Sequence, residues 1–419
     1  MARAKLVVVT TLICLFSAVL GGAAAPAGLL TPVLDPVLGP GGLLGPKSDP
    51  RAAEQEFIRL INIDRLLGGL PLLAFDEELT TVARRHAETM AGKGSIFHNG
   101  LLDSLVSPVF RLLGENVGVG STVASLHQAF LDSHSHRENV IGPFNKVGVG
   151  VVSKNGRMYV TELFGRTGTP PTLPSIAGIA PTASGSGYWL ATPSGGVFQY
   201  GDAPRLGSLT GQKLASPIVG IASTPTGRGY WMVAADGGVF TFGDALFHGS
   251  TGALRLASPI VGMASTPTGR GYWLTAADGG VFSFGDAPFF GSTGAMRIAQ
   301  PVVGMAGTAT GRGYRLVARD GGVFAFGDAK FLGSTGNIAL AKPITGVAST
   351  RTGRGYWMVA SDGGVFAFGD APFIGSAGGR ALTGNVVGMA RNASGTGYWL
   401  ALSDREAFAF GTAPNAGGS

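Results

Sequence analysis

Residues 268–294 read Thr-Gly-Arg-Gly-Tyr-Trp-Leu-Thr-Ala-Ala-Asp-Gly-Gly-Val-Phe-Ser-Phe-Gly-Asp-Ala-Pro-Phe-Phe-Gly-Ser-Thr-Gly. Tyr272 to Ala276 is a short apolar strand, and Asp278-Gly279 supplies the positive φ of a tight hairpin turn. Val281 to Phe284 follows as a further strand with Phe282 and Phe284 on one face. Gly285-Asp286 turns again, and Phe289-Phe290 is expected to begin a last strand. With Ile260 to Ala264 in front, the unit predicts four short strands, the size of one propeller blade.

The unit recurs. Tyr188, Tyr230, Tyr272, Tyr314, Tyr356 and Tyr398 stand 42 residues apart without insertions. Six copies fall within the usual ring sizes of roughly four to eight blades. The last copy departs from the others: Asp404-Arg405-Glu406 replaces Asp-Gly-Gly, Thr412 replaces the repeated aspartate, and Asn415 replaces a phenylalanine. A closed β-propeller is the expectation for residues 175–419, with a β-solenoid or an open arc left as alternatives.

Ahead of the repeats the composition changes. From Pro171 onward there are 49 of the 70 glycines, whereas residues 51 to 166 hold five of the six histidines. Two regions so different are expected to have separate cores. In the first, Asp49 and Pro50 open a helix that Gly68 and Gly69 stop, and Asp76 caps a second helix ended by Gly92. A third helical segment runs from Thr122 to Ser133. Val147–Val152 and Met158–Phe164 alternate as strands around Asn155-Gly156, a hairpin signal.

Residues 1–27 have the form of a signal peptide: basic Arg3 and Lys5, apolar Leu6 to Leu20, then small residues. The apolar stretch is shorter than the roughly 20 residues a membrane helix needs. No transmembrane segment is therefore expected after cleavage, and the protein is expected to be secreted and extracellular, with association to a bacterial cell wall left open. Cys14, the single cysteine, lies inside that stretch, so the exported chain is expected to use no disulfide or thiol chemistry. Residues 28–50, with Pro32, Pro36, Pro40 and Pro46 among glycines and leucines, and 167–174, with three prolines, are expected to be linkers. The net charge of +6 comes without a dense Lys/Arg run, which argues against a nucleic-acid partner.

Within a domain expected over residues 51–166, residues 53–165 resemble the CAP superfamily (SCP-like; cysteine-rich secretory, antigen five and pathogenesis-related proteins), in its disulfide-free bacterial branch. The resemblance is carried by Leu60-Ile61-Asn62 with Arg65, Gly69-Leu70-Pro71-Leu72, Ala83 to Met90, His98-Asn99, Gly114-Glu115-Asn116, Ser133 to Val140, and Pro143 to Gly150. It implies a three-layer α-β-α sandwich, and so a multidomain chain of sandwich plus all-β repeats. It also implies a cleft lined by His98, Glu115 and His136, where a divalent metal such as zinc could sit, since two imidazoles and a carboxylate are ordinary zinc ligands. The chain departs from the family at two places: Phe130 stands where a tryptophan precedes a second glutamate, with Asp132 nearby, and Ser133-His134-Ser135-His136 replaces Ser-Pro-Gly-His. Three roles are open to the cleft residues: hydrogen bonding across it, ligand or metal binding, and catalysis.

Other signals are weaker. His86, His127 and His134 are expected to be helix-face, packing or surface residues. His-Glu-x-x-His and Gly-x-Ser-x-Gly are absent from the sequence. Asp244, Asp286, Asp328 and Asp370 supply one carboxylate per turn, too few for calcium's six to eight oxygens, and read as turn residues. The expected function is binding of a small apolar, lipid-like or cell-wall ligand in the cleft, with the repeats as an adhesion or recognition platform for a cell-wall polymer, lipid or surface protein. The alternatives are a wall or peptide hydrolase and a structural surface-layer protein.

Overall fold

The computed structural model describes residues 7–8, 45–46, 48–170 and 173–415. The expected signal peptide, most of the first linker and Cys14 lie outside the described residues. The chain divides into two compact units near Leu173 and Pro174.

The first unit is built on a five-stranded sheet. Its elements in chain order are β1 (Val7–Val8), α1 (Pro50–Leu67), β2 (Ala74–Phe75), α2 (Glu77–Lys93), α3 (Leu102–Leu105), β3 (Phe110–Gly120), α4 (Val123–Asp132), α5 (His134–Val140), β4 (Lys146–Lys154) and β5 (Arg157–Thr167). The strand order is β1-β3-β5-β4-β2, with β3, β5 and β4 antiparallel and the short edge strands parallel to their neighbours. The local signals have visible causes. The Asp76 carboxylate accepts from the Leu79 N–H, which satisfies one donor of the first turn of α2. Asn155 and Gly156, at φ 52° and 72°, make the β4–β5 turn. Leu79, Val82, Ala83, Leu102, Val106, Phe110, Leu113 and Leu163 form one buried cluster. The short helix α5 was not foreseen; it follows directly from α4 through Ser133.

Among the described residues the second unit contains six three-stranded antiparallel sheets, one per repeat. In the third repeat the strands are Ile260–Ser265, Gly271–Ala276 and Val281–Gly285, with Trp273 opposite both Ala264 and Ser283. The expected fourth strand does not form. Its backbone is bonded to side chains instead of a ladder: Pro288 O accepts the Trp273 indole N–H at 2.7 Å, and Gly291 O accepts the Tyr314 hydroxyl of the next repeat at 2.6 Å. Pro288 also has no N–H to give a sheet.

Neighbouring sheets bury their faces on one another. Trp231 and Val233 pack with Tyr272 and Leu274, and Trp273 packs with Tyr314 and Leu316. The sixth repeat touches the first in the same manner. Tyr188 and Trp399 rings lie 5.3 Å apart, the Tyr200 hydroxyl donates to Arg405 O at 3.1 Å, and Ile176 N donates to Ser403 O at 3.0 Å. The repeated aspartates are turn residues. Asp286 accepts from the hydroxyls of Thr266 (2.9 Å) and Thr268 (2.6 Å), and Asp244 accepts from Thr224 and Thr226 in the same way.

One repeat carries an exchange in its core. Trp189, Trp231, Trp273, Trp357 and Trp399 are fully buried, and Arg315 takes their place in the fourth repeat. Its Nε imitates the indole by donating to Lys330 O at 3.0 Å, and Nη2 donates to Gly353 O at 3.1 Å. The guanidinium lies 4.9 Å from the Tyr356 ring centre, but Nη1 is buried without a hydrogen bond. Burial lowers the pKa of this arginine. Arg315→Trp restores the repeat's own solution and removes a desolvated charge. It is expected to stabilise the unit by roughly 1–2 kcal/mol, read as a rise of several degrees in its calorimetric midpoint at about 2–4 °C per kcal/mol. An unchanged or lower midpoint would show that the buried cation is favourable as it stands.

Candidate functional site

His98 follows α2 in a loop that begins with Gly94, the left-handed cap at φ 70°. Glu115 reaches it from the middle of β3, where it faces Leu163 across the ladder and is 1% exposed. Glu115 Oε2 lies 2.7 Å from His98 Nδ1 and accepts from the Asn99 backbone N–H at 2.9 Å. A buried carboxylate on one ring nitrogen fixes the tautomer, placing the proton of a neutral His98 on Nδ1 and making Nε2 an acceptor. His86, from α2, joins the group. Its Nε2 lies 2.7 Å from Phe97 O and 3.9 Å from Glu115 Oε1, an oxygen that is buried without a hydrogen bond. The His86 and Phe97 rings meet edge to face at 5.2 Å.

His86 and His98, with Glu115 behind them, border a cleft of about 310 Å³ that Val82, Phe97, Leu101 and Leu105 also line. That volume lies at the lower end of ordinary small-ligand sites. Leu101 and Leu105 are 67% and 47% exposed, an apolar mouth open to water. One cation, Arg85, lines the cleft, and Lys93 Nζ lies 4.5 Å from the centre of the ring of Phe97, itself a lining residue.

The third expected residue sits elsewhere. His136, on α5, is buried against Phe130 with ring centres 5.3 Å apart. It lines a separate void of about 10 Å³ with Val117, Leu126 and Phe130, room for one water at most. Its backbone carbonyl accepts from Asn116 Nδ2 at 3.1 Å. Asn116 follows Glu115 in β3, so their side chains leave the strand on opposite faces. His98 and Glu115 are thus brought together and His136 is not brought to them. Among the described residues no three His, Cys, Asp or Glu side chains are grouped to hold a metal ion. Asp132, considered for the missing second glutamate, is exposed and accepts from Gln128 Nε2 at 2.9 Å.

A second polar group went unforeseen. On the Asn116 face, Glu162 of β5 is fully buried, and its Oε2 accepts from Asn116 Nδ2 at 2.9 Å. Asn139 Nδ2 donates to Asn116 Oδ1 at 2.9 Å. His127 Nε2 lies 2.6 Å from Asp64 Oδ2, both buried. Burial pushes the Glu162 carboxyl up to about 7, opposed by the attraction of His127 and the Asn116 bond, and assisted by the Asp64 charge. The signal in the sequence was a lone glutamate inside Met158–Phe164, a strand buried on both faces.

A family model described as the cysteine-rich secretory protein family, CAP, matches residues 58–164. The chain is similar to YkwD of Bacillus subtilis (strain 168), described as uncharacterized, with 28% identity over 130 residues covering 28% of this chain and 49% of that protein. It spans about half the length of this curated relative. It is also similar to a solved extracellular protein containing a SCP domain from Bacillus anthracis str. Ames, at 30% identity and a TM-score of 0.26, covering 34% of this chain and 45% of that one.

Proposed function

We propose, from the premise that residues 58–164 belong to the CAP superfamily, that this is an exported ligand-binding protein whose CAP cleft takes a small apolar or lipid-like molecule. The observation that carries the reading is the cleft itself: an apolar mouth of Leu101 and Leu105, walls of Val82 and Phe97, and the cation Arg85 in its lining. An acyl chain with an anionic head matches that chemistry, since apolar area drives binding and a rim cation orients it. The repeats are proposed to close into a six-bladed propeller that serves as the recognition platform. The contacts of Tyr188 with Trp399 and of Tyr200 with Arg405 support closure.

The test is titration of the full chain with a fluorescent long-chain fatty acid. The double change Leu101→Glu, Leu105→Glu alters exposed residues only and is expected to weaken binding at least tenfold with the unfolding midpoint unchanged. Equal binding by wild type and variant, or none by either, would remove the apolar-ligand reading. The His98–Glu115 pair favours one second reading, a hydrolase in which His98 acts as a base. Release of peptidoglycan fragments by wild type and not by His98→Ala would establish it.

A further inference from the structure

The repeats are interrupted by a change of chemistry between the fifth and sixth copies. In the earlier copies the segment before the first strand is Ala215-Ser216-Pro217, Ala257-Ser258-Pro259, Ala299-Gln300-Pro301 and Ala341-Lys342-Pro343; in the last it is Thr383-Gly384-Asn385. An alanine becomes a hydroxyl, and a proline becomes an amide. The new N–H of Asn385 donates to Ser403 Oγ at 3.1 Å.

Two cations join this segment, each out of pattern. Arg380 stands where the other copies have Gln212, Leu254, Met296 and Ile338, and Lys342 stands where they have Ser216, Ser258, Gln300 and Gly384. Both line one open pocket of about 810 Å³, together with Asp362, Leu382, Thr383 and Asn385. The Arg380 guanidinium lies 5.8 Å from the centres of both the Phe408 and Phe410 rings, so it is held on the sixth repeat. Asp362 is the turn aspartate found in the second to sixth copies, and its Oδ1 already accepts from Gly364 N at 3.0 Å. Glu406 sits beside the pocket and accepts the Thr383 hydroxyl at 3.4 Å.

We propose that this pocket binds a polyhydroxylated anion, a sugar or polyol unit bearing a carboxylate or phosphate. Lys342 and Arg380 take the acid group, since charge-assisted bonds to a carboxylate or phosphate are the strong ones. Thr383, Asn385 and the remaining oxygen of Asp362 exchange hydrogen bonds with hydroxyls, and Leu382 receives the apolar face of the ring. Asp362 in the lining and Glu406 and Asp404 beside it offset the two cations, so an acid is chosen over a neutral sugar by direct pairing with Lys342 and Arg380 and not by net charge. This site rests on the recognition role proposed for the repeats and gives it a location.

The experiment is calorimetric titration of the full chain with trigalacturonic acid, with poly(glycerol phosphate), and with maltotriose as the neutral control. At least one acidic probe is expected to bind, more weakly at higher salt, and the double variant Lys342→Gln, Arg380→Gln is expected to lose at least tenfold in affinity with its unfolding midpoint kept. Binding of trigalacturonic acid alone identifies a uronic acid, and of poly(glycerol phosphate) alone a polyol phosphate. Failure of both probes, equal binding by the double variant, or equal binding of maltotriose would overturn the site. Retention on isolated cell walls separates the two levels of inference. Walls that hold wild type and variant alike leave the platform standing and remove this pocket, and walls that hold neither remove both.

Discussion

Gly150→Ala abolishes folding of the N-terminal unit while the repeats keep their own unfolding transition: this is the expected result with the largest effect. The reason is the seat of α2 on β4. A Cβ at Gly148 would stand 2.3 Å from Thr80 N and 2.5 Å from Leu79 C, and one at Gly150 would stand 2.2 Å from Arg84 N and 2.3 Å from Ala83 C. These are backbone atoms in the middle of a helix, with no rotamer by which to retreat. The spacing is also matched, because two strand residues advance about 6.8 Å and four helical residues about 6 Å. Each glycine therefore meets one successive turn of α2. A methyl group at either position must push the helix off the sheet and open the cluster around Leu79, Val82 and Ala83.

Such overpacking against fixed backbone belongs to the rare class costing about 4 kcal/mol or more. Gly92→Ala is the control. It lies in the same helix, has nothing within 4 Å of its would-be Cβ, and is expected to be neutral or stabilising by up to about 1 kcal/mol from helix propensity. Calorimetry of the full chain decides it. If Gly150→Ala shows the same transitions as Gly92→Ala, the close approach of α2 to β4 is wrong.

What the sequence disclosed follows the range of the interactions involved. Asp76 and the Asn155-Gly156 pair act within a few residues, and their helix start and turn are where local chemistry puts them. The repeat was legible because six copies of one solution multiply the signal. The missing fourth strand was not, because Phe289 and Phe290 have strand-like character while the competing partners of that backbone are Trp273, fifteen residues back, and Tyr314 in the next repeat. The departures of the last copy are compensated by one another. Thr412 has lost the carboxylate, and Asn392, standing for the threonine, now donates to it at 3.0 Å.

The candidate site divides in the same way. His98 and Glu115 came only through family resemblance, since 17 residues separate them and nothing local ties them. His136 came by the same route, yet the alternation of β3 puts its anchor, Asn116, on the other face. Glu162 was passed over because a single polar residue in an apolar strand has no periodicity to betray it, and its partners lie on α4, α1 and β3.

Glu162→Gln is expected to flatten the pH dependence of the first unit. The carboxyl of the folded protein titrates at about 7, against about 4.3 in an unfolded chain. The folded state therefore holds a proton that the unfolded state has released over most of that interval. Stability is greatest at the acid end, falls as pH rises from about 4.3 to about 7, and is level above it. The total decline from this group is on the order of 3 kcal/mol. Glutamine keeps an oxygen for Asn116 Nδ2, which now binds Glu162 at 2.9 Å, and it has no proton to lose. Wild type and variant are expected to be near one another at pH 4.5, with the variant ahead by on the order of 3 kcal/mol at pH 8. The direct comparison cancels the titration of groups outside the site, and His127→Gln in both backgrounds measures the coupling to the neighbouring imidazole. Urea unfolding at pH 4.5, 6 and 8 reads the difference. Parallel curves for the two proteins would mean that Glu162 ionises in the folded state as freely as in water, and that the polar group between β3, β5 and α4 is open to solvent.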